Sequence, residues 1–149
     1  MTFRYQWSTS NLYGFVKTSE IINDSNNNYS ITLLDGIQNI LPYGIASDFQ
    51  NSTSNLIDAY KKCELEKDTG LGIFALSAVI VDKAEPSEAL KANTVWSTGV
   101  KNPTYLISSL QLNAFRKGEE VHQEEDIKAE KGAYFTVQDL TLAPNNPIS

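Results

Sequence analysis

The stretch DSNNNYSITLLD, residues 24–35, places side-chain oxygens at the spacing of a calcium-binding loop. Oxygens occupy its first, third, fifth and seventh positions, and a carboxylate occupies the twelfth. The sixth position of such a loop turns sharply and is normally glycine, whereas here it is Tyr29. The twelfth position belongs to the pair Asp35-Gly36, and Asp-Gly between apolar residues is typical of a tight hairpin turn. The pattern therefore favours a polar loop and then a hairpin, with strands over 29–34 and 37–41, rather than a metal site.

A second polar stretch surrounds His122, the one histidine of the chain. Its acidic neighbours are Glu119, Glu120, Glu124, Glu125 and Asp126. A histidine among carboxylates is able to bind zinc or manganese or to act as a general base. Catalytic zinc sites, however, use more than one histidine or an added cysteine, and a stretch of mixed charges is typical of a solvated or salt-bridged segment. We therefore predict a surface histidine, no catalytic residue and no metal.

Two short motifs match catalytic patterns only in part. The tripeptide DTG at 68–70 carries the nucleophilic aspartate of aspartic proteases, but there it ends a buried apolar strand, and here it follows the charged ELEK. The overlapping GLGIFA fits the glycine pattern of a dinucleotide-binding turn, yet no apolar strand precedes it. Neither motif supports an enzyme, and the sequence predicts no cofactor.

Aromatic residues alternate with polar ones at the start of the chain, in TFRYQWS. A period of two predicts a half-buried strand, and the first interpretation is that the rings face the core. If the rings are exposed, they suit a partner surface or stack on sugars, because a flat apolar ring matches the C–H face of a hexose. Tyr5, Trp7 and Trp96 are the candidate ligand-binding residues on that hypothesis.

Composition limits the classes of protein that fit. The 149 residues suit a single domain, which we predict over 1–143 with a mobile tail over 144–149. The chain has 12 basic and 18 acidic residues, and a net charge of −6 argues against nucleic acid and anionic membrane surfaces as partners. Cys63 is the one cysteine, so no intrachain disulfide forms.

No charged leader followed by an apolar block is visible at the start of the sequence, so no signal peptide is predicted. The longest apolar run, LGIFALSAVIV, is too short to span a membrane. These features predict a soluble protein whose compartment stays undefined.

Several short strands separated by turn signals predict a mainly β fold, an antiparallel β-sandwich or barrel-like domain with one or two short helices. Segment 52–66 fits a helix or a strand. A helix followed by a turn is favoured, because a strand would point Lys61 inward. Residues 12–16 continue the first strand or form a second one, and the apolar run over 71–81 predicts a strand that is covered on both faces. The residues 94–98, 105–121 and 133–143 are further strand candidates, and a polar connection near Pro86 is expected to contain one helical turn.

The function that best fits these features is a non-catalytic binding or assembly module, such as a structural subunit of a larger particle. Its partner would be another protein or a second copy of the chain. A carbohydrate-binding β-sandwich module is the alternative from a different class. A hydrolase that uses carboxylates of the 119–126 cluster is the third hypothesis.

Overall fold

The computed structural model describes residues 1–78, 91–145 and 147–148. The fold is mainly β, with half of the residues in strands and about an eighth in helices, as the sequence predicted. The strands are β1 (Thr2–Ser10), β2 (Gly14–Ile22), β3 (Tyr29–Ile40), β4 (Lys61–Glu66), β5 (Leu71–Leu76), β6 (Asn93–Val95), β7 (Thr104–Ser108), β8 (Asp126–Lys128) and β9 (Gly132–Leu142). The helices are α1 (Ser47–Ser52), α2 (Ser54–Tyr60) and α3 (Leu112–Arg116).

The described strands form three antiparallel sheets. One is the two-stranded ribbon β1-β2, the second has the order β3-β9-β7, and the third has the order β6-β5-β4-β8. Backbone contacts divide the chain into two compact units, one comprising 1–33 with 139–149 and the other comprising 34–138. The prediction of a single domain over 1–143 stays a prediction.

The core of the second unit lies on both faces of β9. Tyr134 packs on one side with Cys63, Leu65, Phe74 and Ile107, which come from β4, β5 and β7. The other side holds a cluster built around α3: Leu106, Leu112, Ala133, Phe135 and Val137. The sequence GAYFTV at the start of β9 is buried at every position, because this part of the strand is covered on both faces. Such a strand is expected to be mostly apolar, and Thr136 is its one polar residue.

The predicted hairpin at Asp35-Gly36 is wrong. The two residues lie within the continuous strand β3, and Gly36 does not have a positive φ. A Cβ atom at Gly36 would lie 2.0 Å from the carbonyl oxygen of Tyr134, so glycine is needed here for the close approach of β9. The Asp-Gly pair predicts a turn from neighbouring residues alone. The residue that requires glycine at position 36 is Tyr134, about a hundred residues further along the chain.

Segment 54–66 is a helix and then a strand. The helix is confirmed as α2, but the turn that was predicted to follow it is the strand β4, with Cys63 and Leu65 buried. Lys61 does point inward and is 3% exposed. Its ammonium donates to the Asp58 carboxylate at 2.7 Å, which supplies the counter-charge that the sequence argument did not foresee.

The strand predicted after residue 104 ends sooner than expected. It is confirmed over β7, but the alternating LQLNA segment that follows enters the helix α3, in which Leu112 is buried. The predicted first strand is confirmed as β1, and of the two possibilities left for residues 12–16 the structure has a second strand, β2. The strands predicted over the apolar run and over 133–143 are confirmed as β5 and β9, and the candidate over 94–98 is a strand only as far as Val95. The expected helical turn near Pro86 and the last part of the apolar run lie outside the described residues.

Within the first unit, Asn23 is the buried polar centre. Its amide donates to the carbonyls of Asn27 at 2.7 Å and Leu142 at 3.0 Å, and its side-chain oxygen accepts from Ser25. Close by, Ile148 exchanges two backbone hydrogen bonds with Ile21 at 2.9 and 3.0 Å. These bonds tie the end of β2 to the C-terminal segment.

Candidate functional site

The ribbon β1-β2 forms because two alternating segments are joined by a short turn. The hydroxyl of Ser10 accepts hydrogen bonds from the backbone N–H groups of Leu12 and Tyr13, both at 3.2 Å. Gly14 closes the turn with φ of 69°, a left-handed conformation that glycine adopts without strain. Nine antiparallel pairs follow, from Ser10 opposite Gly14 to Thr2 opposite Ile22.

Residues opposite one another in an antiparallel ribbon point to the same face. One face therefore collects the rings of β1 and the residues that the register places beside them. We call it the aromatic face, and its members are Phe3, Tyr5, Trp7, Thr9, Phe15, Lys17, Ser19 and Ile21. All four rings are exposed: Phe3 by 45%, Tyr5 by 62%, Trp7 by 50% and Phe15 by 82%.

The interpretation that the N-terminal rings face the core is thus wrong. The alternation did identify the strand, but a period of two fixes only that the rings share a face, and not which face is covered. By size and exposure, the four rings leave on the order of 500 Å² of apolar surface open. Contiguous apolar patches of a few hundred Å² or more mark interaction sites.

One charged residue, Lys17, lies on the aromatic face. It is opposite Trp7 in the register, and its ammonium leans toward the other strand, 6.0 Å from the ring centroid of Phe3 and 5.8 Å from that of Tyr5. A cation at this distance from a ring is attracted by its negative face. The aromatic face therefore combines exposed rings with a positive charge.

The reverse face of the ribbon is polar. It carries Thr2, Arg4, Gln6, Ser8 and Ser10 on β1 and Val16, Thr18, Glu20 and Ile22 on β2. Arg4 and Glu20 are opposite one another and form an exposed ion pair at 3.6 Å. The ribbon is consequently amphipathic, and its apolar side is the exposed aromatic face.

The structure places two of the three candidate residues together. Tyr5 and Trp7 are neighbours on the aromatic face. Trp96 belongs to the other compact unit, just after β6, and is 45% exposed. Phe3, Phe15 and Lys17 complete the aromatic face. An antiparallel register across the turn at Gly14 would have predicted these three residues on the same face as Tyr5 and Trp7.

The acidic stretch around His122 contains both exposed and buried side chains. His122 is exposed, whereas Glu124 is 6% exposed and its carboxylate is engaged by backbone and side-chain donors. Its Oε2 accepts from the N–H groups of Ile107 and Ser108, both at 2.8 Å, and its Oε1 accepts from the Ser108 hydroxyl and the Gln111 amide. This buried Glu was missed because mixed charge in the sequence indicates solvent.

The candidate calcium loop is also accounted for by protein contacts. Asp24 accepts a hydrogen bond from the Thr2 hydroxyl at 2.8 Å, which lowers the pKa of this carboxyl. Asp35 lies inside β3. In the part of the chain that the structure describes, no three His, Cys, Asp or Glu side chains are grouped so that they could hold a metal ion.

A groove of about 410 Å³ lies on the second unit. Its lining is polar and of mixed charge: Gln38, Asn39, Asp58, Ser109, Leu110, Ala129, Glu130 and Lys131. Asn39 and Ala129 both have positive φ, 59° and 60°, and Asp58 already accepts from Lys61 and Gln50. Nothing in this lining selects a particular ligand.

Comparison with models of protein families finds no match, and comparison with curated proteins finds no similar sequence. Every helix among the described residues is too short or too polar to cross a membrane. The aromatic face is therefore the feature of the molecule that points to a function.

Proposed function

We propose that this protein is a non-catalytic module that binds another protein chain through the aromatic face of β1-β2, as a structural subunit of a larger assembly does. The observation that carries the proposal is the exposure of four rings on one face of a two-stranded ribbon. A ribbon of two strands is only marginally stable in water, and strands normally gain stability from a covered apolar face. A protein partner on this face would supply that cover.

The shape of the aromatic face favours a protein over a sugar. The rings of Phe3 and Tyr5 are 6.3 Å apart and tilted by 35°, so neighbouring rings do not form one flat platform. Tilted rings interdigitate with the side chains of a protein, since aromatic groups in interfaces prefer edge contacts and offset stacking. Carbohydrate binding by Tyr5 and Trp7 is the second candidate, because the exposure of both rings suits it too.

Site-specific photo-crosslinking in cells of the natural source tests the proposal. A photoreactive phenylalanine replaces Trp7 on the aromatic face or, as the matched control, its neighbour Gln6 on the reverse face. We expect a discrete crosslinked protein from position 7 and none from position 6. No product from position 7, or equal products from both positions, would contradict protein binding by this face.

A sugar titration separates the second candidate. Tryptophan fluorescence of the wild type and of Trp7→Phe is measured against a broad panel of oligosaccharides. A saturable change that Trp7→Phe abolishes would favour carbohydrate binding over the proposed function. We expect no change with any member of the panel.

A further inference from the structure

We infer that the partner contributes an extended segment, which adds as a third strand to the edge of β1 that faces away from β2. On the aromatic face, this segment places β-branched or aliphatic side chains beside the rings of Phe3, Tyr5 and Trp7. The inference rests on the proposed function and names the kind of partner and the way it binds. It is drawn from the direction of the backbone groups of β1 and from the exposure of that strand.

The direction of the backbone groups of β1 follows from a contact on the far side of β2. Ile21 donates its N–H to the Ile148 carbonyl at 2.9 Å and accepts from the Ile148 N–H at 3.0 Å, so its backbone groups point away from β1. In an antiparallel pair, opposite residues either bond to each other or both point their backbone groups outward. Phe3 lies opposite Ile21 and therefore directs its N–H and C=O to the outer edge of β1.

The register carries this direction along the whole strand. The pairs from Thr2 to Ser10 follow one another without a shift, so Tyr5, Trp7 and Thr9 point their backbone groups the same way as Phe3. Among the described strands β1 pairs with β2 alone, and no backbone hydrogen bond from the described residues reaches its outer edge. The outer edge thus presents alternating donors and acceptors, which a strand satisfies.

The strand β1 lacks the features that normally protect an edge strand. It has no proline and no bulge, and its one charged residue, Arg4, is paired with Glu20 at 3.6 Å. Every residue over 3–9 is exposed. Edge strands that stay in water are usually short, bulged or charged, so that other strands do not add to them. A long, regular and exposed edge instead suits the addition of a peptide strand.

The ribbon favours a strand at this edge over a surface laid flat across both strands. Ile21 is 5% exposed and the hydroxyl oxygen of Ser19 is buried, so the β2 side of the aromatic face is partly closed. The side chains on one face of a strand recur about every 6.8 Å, and an added strand has the same interval as the rings of β1. The opposite edge of the ribbon already pairs with an extended segment, at Ile148.

The segment that fits this edge alternates two kinds of side chain. Residues opposite one another on paired strands share a face, and an aromatic ring pairs well with a β-branched side chain. On the reverse face β1 presents Gln6 and Ser8, beside which short polar side chains such as serine and threonine fit. Short side chains stay out of reach of a photoreactive group that projects outward from position 6.

Random phage-displayed peptides of about ten residues, selected on the purified full chain, are the probe. We expect the selected peptides to alternate β-branched or aliphatic residues with short polar ones. A bound peptide should slow the deuterium exchange of the odd-numbered amides over 3–9 by at least about ten-fold. The even-numbered amides over 4–8 already bond to β2 and should change by less than about two-fold.

A proline at position 9 tests the edge without touching a ring. Thr9→Pro removes an N–H that points outward and keeps the bonds to β2, whereas the matched control Thr9→Ala keeps that N–H. We expect the affinity for a selected peptide to fall at least about ten-fold for Thr9→Pro and to stay within about two-fold for Thr9→Ala. Circular dichroism melts establish that both variants are folded.

A library that yields no binder would overturn the inference. A bound peptide that leaves the odd-numbered amides unprotected would also overturn it, as would equal affinity for Thr9→Pro and Thr9→Ala. In source cells, photoreactive groups at Tyr5 and at Trp7 should react about two residues apart within one segment of the partner. Crosslinks scattered over a folded surface would leave the proposed function standing and overturn the added strand, whereas no crosslink from Trp7 would contradict the proposed function itself.

Discussion

At the scale of single residues, the ion pair between Lys61 and Asp58 makes the stability of the fold depend on pH. Lys61 is buried, and the Asp58 carboxylate accepts from its ammonium at 2.7 Å and from the Gln50 amide at 3.1 Å. Burial raises the pKa of Asp58, but the two hydrogen bonds and the charge of Lys61 outweigh it, so the pKa lies below its usual value. The pair therefore stabilises the fold above the pKa of an unfolded aspartate, near 4, and this contribution is lost as the pH falls through the folded value.

Asp58→Asn should destabilise the protein by about 3–5 kcal/mol, because it leaves a buried ammonium without its counter-charge. Lys61→Met is the matched control, since it removes the buried charge and keeps the apolar stem. The Asp58 carboxylate that remains is 28% exposed and still accepts from the Gln50 amide, so we expect a clearly smaller loss than for Asp58→Asn. Urea unfolding at pH 7 measures both. Equal losses from the two variants would show that the charge of Lys61 is not what the pair compensates.

Glu124 is another buried residue with an ionisable side chain. Glu124→Ala removes the acceptor for two backbone N–H groups and two side-chain donors, and we expect a loss of roughly 2–4 kcal/mol. The neighbouring Glu125 pairs with Lys67 at the surface, so Glu125→Ala should cost under about 1 kcal/mol. Chemical denaturation of the two variants decides the point, and similar losses would contradict the role given to Glu124.

Cys63 should make stability depend on alkaline pH. Burial raises the pKa of its thiol from 9.0 to about 11, so the folded state keeps a proton that the unfolded state loses first. The free energy of unfolding should therefore fall as the pH rises above 9, by up to about 1.4 kcal/mol per pH unit until the folded value is reached. The difference between wild type and Cys63→Ala isolates this slope from other titrations. A difference that is flat between pH 8 and 11 would contradict it.

At the scale of elements, β3 depends on the close approach between Gly36 and the backbone of β9 at Tyr134 and Phe135. Gly36→Ala would place a methyl group against backbone atoms of Tyr134 and Phe135, and backbone cannot move aside as a flexible side chain can. We expect a loss of at least about 3 kcal/mol or failure to fold. Gln38→Ala, at an exposed position of the same strand, should stay within about 0.5 kcal/mol. Tolerance of Gly36→Ala would contradict the close approach of the β9 backbone to Gly36.

The elements that the sequence predicted well are those whose signal is local and regular. β1 and the apolar β5 and β9 follow from alternation or continuous apolar runs. The error at Gly36 has a distant cause, because the residues that require glycine there are Tyr134 and Phe135 of β9. The error at Lys61 has a local cause that the spacing alone did not reveal, since the pairing with Asp58 depends on the change from helix to strand between these two residues.

The candidate site could be predicted only in part, because local alternation shows which residues share a face but not whether that face is covered. Alternation placed Tyr5 and Trp7 on one face, but burial of that face depends on what else the molecule packs there. Glu124 is the converse case, because it is a buried residue within a charged segment. Its carboxylate lies against β7, where it accepts from the backbone N–H groups of Ile107 and Ser108. Composition reports the average of a segment and misses one residue that differs from it.

At the scale of the whole molecule, the aromatic ribbon and the β9 core should differ in how firmly they are held. The amides of β7 and β9 lie in a core buried on both faces, whereas β1 is exposed from Phe3 to Thr9 and β2 is mostly half-buried. In dilute solution, the ribbon amides should exchange with deuterium at least about 100-fold faster than those of β9. Uniform exchange across the two regions would contradict this difference.

The hydrogen bonds of Glu124 also bear on how any assembly could grow. Its Oε2 accepts from the N–H groups of Ile107 and Ser108, and its own N–H donates to the Tyr105 carbonyl at 3.0 Å, so the outer side of β7 is satisfied by a side chain and a loop. A strand from another molecule would have to displace a buried carboxylate to pair there. Glu124 thus blocks the addition of a strand at the β7 edge of that sheet, so growth of the sheet into a fibre is disfavoured on this side.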